Sequence, residues 1–169
     1  MKNILLILTI SFSTLGFSQN ETIDAFIEKW QNSKTYLMDI AKAMPEDKYN
    51  FKPTEREMSF GEQLLHIKEN IDWLSTSYFT NEDFDKKKDE STYSKQEIIS
   101  MLEKSFDNVS EIIKETKPES LNEKVEFFAG PKTRLQILNL LQDHVTHHRG
   151  QLIVYLNLNE ITPPKYVGW

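Results

Sequence analysis

Apolar residues along this chain gather into four stretches with the spacing of amphipathic helices, separated by polar or proline-bearing segments. Ile23, Phe26, Ile27, Trp30, Leu37, Ala41 and Met44 form the first stripe, and Pro45 predicts its end near Met44. Ser59 followed by Glu62 has the form of a capping box. It predicts a second helix whose stripe is Phe60, Leu64, Ile67, Ile71, Leu74 and Tyr78. A third helix is predicted from Ser94 to Thr116, with Ile98, Leu102, Phe106, Val109, Ile112 and Ile113 inward and Pro118 beyond its end. The fourth begins near Thr133 and carries Ile137, Leu138, Leu141, Val145, Leu152, Tyr155 and Leu156. Of the connections, residues 45–57 hold Tyr49, Phe51 and Pro53 and read as an ordered loop packing rings on the bundle. Residues 81–92, with Lys86-Lys87-Lys88, read as a solvated connector. Residues 118–132 form a longer loop, with a short extended segment at Val125-Glu126-Phe127-Phe128 and a turn at Gly130-Pro131. One broad apolar face on each of four helices predicts an all-α fold, a four-helix bundle with a long crossover loop.

Composition sharpens this in three ways. A length of 169 residues suits one domain with a real core, and only 5 Gly and 6 Pro leave few breaks for a many-stranded sheet. A net charge of -6, with Lys and Arg scattered among the acids, offers no basic stripe, which excludes nucleic acid as a partner. Cysteine is absent, so any metal must be held by nitrogen and oxygen, and no thiol nucleophile or disulfide exists.

The N-terminus predicts export. Lys2 precedes an apolar run from Ile4 to Ile10 that continues through Phe12 and Leu15 into Gly16-Phe17-Ser18-Gln19, the pattern of a signal peptide spanning residues 1–18 and cleaved after Ser18. That run is shorter than the roughly 20 residues of a membrane-spanning helix, so no membrane association is expected after cleavage. Residues 19–169 then form the mature domain, periplasmic or extracellular.

Candidate chemistry lies in His144-Val145-Thr146-His147-His148-Arg149-Gly150-Gln151, which holds three of the four histidines. At about 100° per residue, His144 and His148 fall on the side of Leu141, Val145 and Leu152, while His147 lies on its flank. Imidazoles four apart on a helix can share one cation, and burying both without a partner is costly. His66 stands at the border of the second stripe, on the side that carries Gln63, Asn70 and Trp73. Alone it reads more readily as a satisfied or half-exposed histidine than as a ligand; brought beside the other two, it completes three imidazoles around one divalent ion.

Met58-Ser59-Phe60-Gly61-Glu62-Gln63-Leu64-Leu65-His66-Ile67, the later His144-x-x-His147-His148-Arg149-Gly150-Gln151 and the terminal Pro163-Pro164-x-Tyr166-Val167-Gly168-Trp169 together resemble the DinB-like family, over essentially the whole mature chain. The resemblance implies a four-helix bundle holding a divalent cation, zinc or nickel, on His66, His144 and His148, with His147 a non-ligating neighbour. It also implies a small-molecule substrate or ligand and a homodimer. Among the remaining motif residues, Gly150 is expected to admit a neighbouring backbone, while Arg149 either pairs with an acid or lies at the surface, and Gln151 either orients a ligand ring or water or lies at the surface.

Three imidazoles with an open fourth position suit a metal-activated water and hence hydrolysis. Relatives in the resembling family also include thiol S-transferases. Export separates the protein from cytosolic thiols and ranks hydrolysis first; a stress protein that binds metal or a small ligand without turnover is the non-enzymatic alternative. Glu62, one turn before His66, is the first candidate general base, and Asp143, beside His144, the second.

Overall fold

Capping boxes start three of the four helices in a computed structural model that describes residues 2–85 and 92–169, with side chains from Glu21 onward. Helix α2 (Phe60–Phe79) opens on Ser59 and Glu62, α3 (Lys95–Glu115) on Ser94 and Glu97, and α4 (Arg134–Leu158) on Thr133 and Gln136. In each, the cap oxygen takes the N3 backbone N–H and the N3 side chain takes the cap N–H, so two orphan donors are satisfied together. The stripe predicted from Ile23 forms the C-terminal part of α1 (Lys2–Ala43). Side chains of the leader expected over residues 1–18 lie outside the described residues, as do Lys86, Lys87 and Lys88. Among the described residues no helix is long and apolar enough to cross a membrane.

Helix α1 packs on α3 and α4, and α2 packs on the same two, so α1 faces α2 across one diagonal and α3 faces α4 across the other. Cross-helix bonds fix the directions. Lys34 meets Asp107 and Lys95 Nζ reaches the carbonyls of Lys42 and Met44, so α1 and α3 run antiparallel. Gln63 meets Gln151, and Arg134 Nε donates to Tyr78 O at 2.7 Å, so α2 and α4 are antiparallel too. Gln142 donates to Phe26 O and Arg149 lies over Tyr36, so α1 and α4 are parallel and the order is up-down-down-up. The chain between α2 and α3 must therefore return the length of a helix, about 30 Å for 20 residues.

The centre is aromatic and aliphatic. Trp30 is fully buried, lies 5.5 Å from Phe26 and 4.4 Å from Phe106 between ring centroids, and donates Nε1–H to Phe106 O at 3.0 Å. Leu37, Leu64, Ile71, Leu102, Val145 and Leu152 complete the layers around it. The ring-bearing loop behaves as its sequence predicts: Tyr49 is buried with its hydroxyl donating to Ala41 O, and Phe51 meets Tyr155 edge-on. Gly61 meets this loop directly, donating its N–H to the Tyr49 carbonyl at 2.8 Å, and a Cβ there would stand 3.4 Å from the Tyr49 ring.

The extended segment forms a short hairpin, β1 (Lys124–Val125) against β2 (Lys132–Thr133), turning through Gly130 at φ 86°. Strand pairing stops at Val125. Phe127 and Phe128 instead lay their rings along Trp73 of α2, at centroid distances of 6.1 and 6.2 Å.

Trp30→Ala is expected to lower the unfolding free energy by about 3 to 5 kcal/mol. Trp30→Phe, which keeps a ring and loses the donor, is expected to cost about 1 to 3 kcal/mol. Urea unfolding of the two variants checks this, and equal losses would mean that the ring itself contributes nothing separate.

Candidate metal centre

One face of α2 carries Gln63, His66 and Asn70, and the opposed face of α4 carries His144, His148, Gln151 and Tyr155. Spacings of three and four residues keep each set on one side of its helix. The antiparallel pairing then sets residue 66 across from 144 and 148, and residue 63 across from 148, 151 and 155.

His66, His144 and His148 converge. Each offers a ring nitrogen, and the three nitrogens lie within 4.8 Å of one another. His66 Nε2 and His144 Nε2 are 3.2 Å apart, and ring centroids are separated by 4.9 Å (66 to 144), 4.7 Å (66 to 148) and 4.4 Å (144 to 148). Two nitrogens bound at the usual zinc distance in a tetrahedron stand about 3.3 to 3.4 Å apart, so the closest pair already has the spacing of a shared ion. The three histidines could hold a metal ion. His147 stays outside the group, exposed, edge-on to His148 and 3.0 Å from Gln151 Nε2.

The protonation state follows from burial. Desolvation, reinforced by the neighbouring charges of His148, His66 and His147, pushes His144 down to about 3. Desolvation, with His66 and His147 beside it, pushes His148 down to about 4. Both rings are neutral at neutral pH, the form that ligates. His148 Nδ1 donates to Gln63 Oε1 at 2.5 Å, which leaves its Nε2 lone pair free. Gln63 is itself fixed, donating to Gln151 Oε1 at 2.6 Å and lying 3.4 Å from the Tyr155 hydroxyl, which donates to Met58 O. His144 Nδ1 is buried with no partner.

Several residues take roles other than those expected from the sequence. Gln151 acts on His148 as expected, but Gln63, which takes the His148 Nδ1 proton and donates to Gln151, joins it as an orienting group; its place three residues before His66 was the available signal. Arg149 finds no acid: it is 4% exposed, lies over the Tyr36 ring at 5.0 Å, and keeps Nη1 unpartnered, with desolvation lowering its pKa. Tyr36 in turn meets Tyr166 edge-on, which ties the C-terminal segment to this arginine. Gly150 has nothing within 4 Å of a would-be Cβ, so no backbone approaches it; Gly61 is where the close approach occurs.

Glu62 accepts the Ser59 backbone N–H at 2.6 Å and faces Lys52 at 3.1 Å, and these two partners lower its pKa. Its side chain is 55% exposed. Asp143 is exposed on α4.

Unfolding frees the imidazoles to titrate at about 6.5. Their folded values are depressed to about 3 and about 4, so burial carries no penalty above about pH 6.5 and an increasing one as pH falls toward those values. Metal-free protein is therefore expected to lose urea resistance between about pH 7 and about pH 5, and the His144→Gln, His148→Gln double variant to lose less over that interval. Identical slopes would remove these two rings as the source.

A model of the DinB family matches residues 17–166. No curated protein matches the chain. Among solved structures, a DinB-like protein from Bacillus cereus is 19% identical with a TM-score of 0.75, covering 85% of this chain and 96% of its own. A DinB-like protein from Bacillus subtilis is 19% identical with a TM-score of 0.68, covering 85% and 97%. A conserved protein from Enterococcus faecalis is 16% identical with a TM-score of 0.55, covering 85% and 95%. At these identities the structures establish a common fold, the bundle reached above from stripes and caps. With the family match extending over nearly all of the chain, this protein belongs to the DinB family.

Proposed function

We propose that this protein is an exported, metal-dependent hydrolase that holds a divalent cation, zinc or nickel, on His66, His144 and His148. The observation that carries the reading is the convergence of one ring nitrogen each from His66, His144 and His148 within 4.8 Å, two Nε2 atoms 3.2 Å apart, with burial favouring the neutral form of His144 and His148. Like-charged imidazoliums could not share this space, and neutral ones present lone pairs that need a partner. An all-imidazole donor set without thiolate favours zinc or nickel over hard cations such as magnesium. When bound, such an ion supplies an acidified water and a Lewis-acid contact for a carbonyl.

The chain's own contribution is to orient and exclude. Gln63 holds the His148 tautomer, Gln151 and Tyr155 hold Gln63, and Phe60 and Leu64 seal the core beneath. Neither Glu62, committed to its cap, nor the exposed Asp143 is needed as a base in this reading. That same lack of a dedicated base favours the alternative of metal or ligand binding without turnover. Thiol transfer is disfavoured by the N-terminal pattern, since an exported protein is parted from cytosolic thiols.

Natively purified protein is expected to carry about one zinc or nickel per chain, and His66→Ala, His144→Ala and His148→Ala each to lose it while circular dichroism still reports the bundle. Gln63→Ala is expected to weaken metal affinity by about 10- to 100-fold. Ester and amide hydrolysis that stops with chelator and returns with metal supports the enzyme. Full metal loading without turnover on any ester, amide or thiol acceptor leaves the binding protein instead. Sequencing the N-terminus of the extracytoplasmic form, expected to begin at Gln19, tests export; a cytosolic protein that still begins at residue 1 defeats it.

A further inference from the structure

Beside the histidines lies a cleft of about 310 Å³ lined by His66, Glu69, Asn70, Trp73 and Phe84. Its size lies at the lower end for a small-molecule site, enough for one aromatic ring and a short polar group. Two features select the occupant. Trp73 stacks with Phe127 and Phe128 at interplanar angles of 21° and 29°, so its indole presents a flat aromatic wall to the cleft. Asn70, one turn beyond His66 on α2, has its side-chain oxygen buried with no hydrogen-bond donor. A buried acceptor without a donor is an expensive arrangement, and an N–H donor bound in the cleft that Asn70 lines would relieve it. Glu69 is exposed on the same lining and makes the cleft unfavourable for a free carboxylate.

We propose that this cleft is the substrate cleft of the histidine centre and takes a neutral aromatic amide, its ring against Trp73 and its N–H on Asn70. Placed so, the amide carbonyl lies on the side of His66. The inference rests on the metal reading for its chemistry, but its binding step depends only on the cleft.

The test uses the full chain, zinc-loaded and chelator-treated, with N-benzylacetamide as probe and N-benzyl-N-methylacetamide as the match that lacks the N–H. The Trp73 indole N–H signal is followed by NMR. It is expected to shift saturably with the secondary amide in both metal states, and more weakly with the methylated one. Asn70→Leu is expected to weaken the secondary amide about tenfold while changing the methylated probe less than twofold, and Trp73→Ala, followed by isothermal titration calorimetry because the indole signal is gone, to weaken both about tenfold. Asn70→Asp, which keeps an acceptor, retains binding and guards against a variant that fails to fold. An unmoved Trp73 signal in protein that does load zinc overturns the cleft, as does an Asn70→Leu effect equal for the two probes. Saturable binding in protein that loads no metal overturns the metal reading alone and leaves the cleft as a ligand site.

Discussion

An imidazole buried among apolar helix faces has few stable options: it must be neutral, and each ring nitrogen must find a donor, an acceptor or a cation. The rest of this site is arranged around that constraint. His148 meets half of it through Gln63, whose oxygen takes the Nδ1 proton and turns the other nitrogen toward the group. His66 and His144 bring their Nε2 atoms to 3.2 Å, where one proton can serve the pair but cannot serve all three rings. His144 Nδ1 has no partner at all. A divalent cation satisfies three lone pairs at once and removes the competition for protons, which is why the donor set fits a metal better than it fits a hydrogen-bonded core.

Topology supplies the convergence. Because the chain runs up-down-down-up, α2 meets α4 antiparallel along its length, and stations separated by nearly eighty positions face one another. Two stations on α4, at 144 and 148, straddle the single station at 66, so one helix provides the i,i+4 pair and the other only has to present one ring in register. The capping boxes at Ser59 and Thr133 fix where each helix begins and hence that register. Arg134, bound to the Tyr78 carbonyl and paired with Glu123, locks the far end of the same helix pair.

Much of this is legible in the sequence because it depends on local periodicity. The four stripes, the Ser59–Glu62 box, the inward direction of His148 and the border position of His66 all follow from helical spacing and one-turn signals. What is not legible depends on which groups meet across helices. Gln63 stands three residues before His66, yet only the facing helix reveals that it serves His148 instead. Arg149 has the look of half an ion pair, and the structure surrounds it with the rings of Tyr36 and Tyr166, which spacing along α4 cannot disclose. Glu62 carries two local signals at once, an acid one turn from a histidine and the third residue of a capping box; the backbone N–H at 2.6 Å gives the second reading the stronger geometry. Gly150 and Gly61 divide in the same way, since a close approach belongs to the neighbour, here Tyr49, as much as to the glycine.

The two sides of the histidine group differ, and the difference bears on access. Toward the start of α2 stand Gln63, Tyr155 and Phe60, all buried, with the polar atoms of Gln63 and Tyr155 joined in one hydrogen-bonded chain. Toward its end the lining changes to Asn70, Trp73 and Phe84, and a cleft opens beside His66. The rings of Phe127 and Phe128 stack on Trp73 from the hairpin, so the indole that walls the cleft belongs to an aromatic group shared by α2 and the loop. Of the three histidines, His66 is the one that lines this cleft, so a group lying in it stands directly beside that ring.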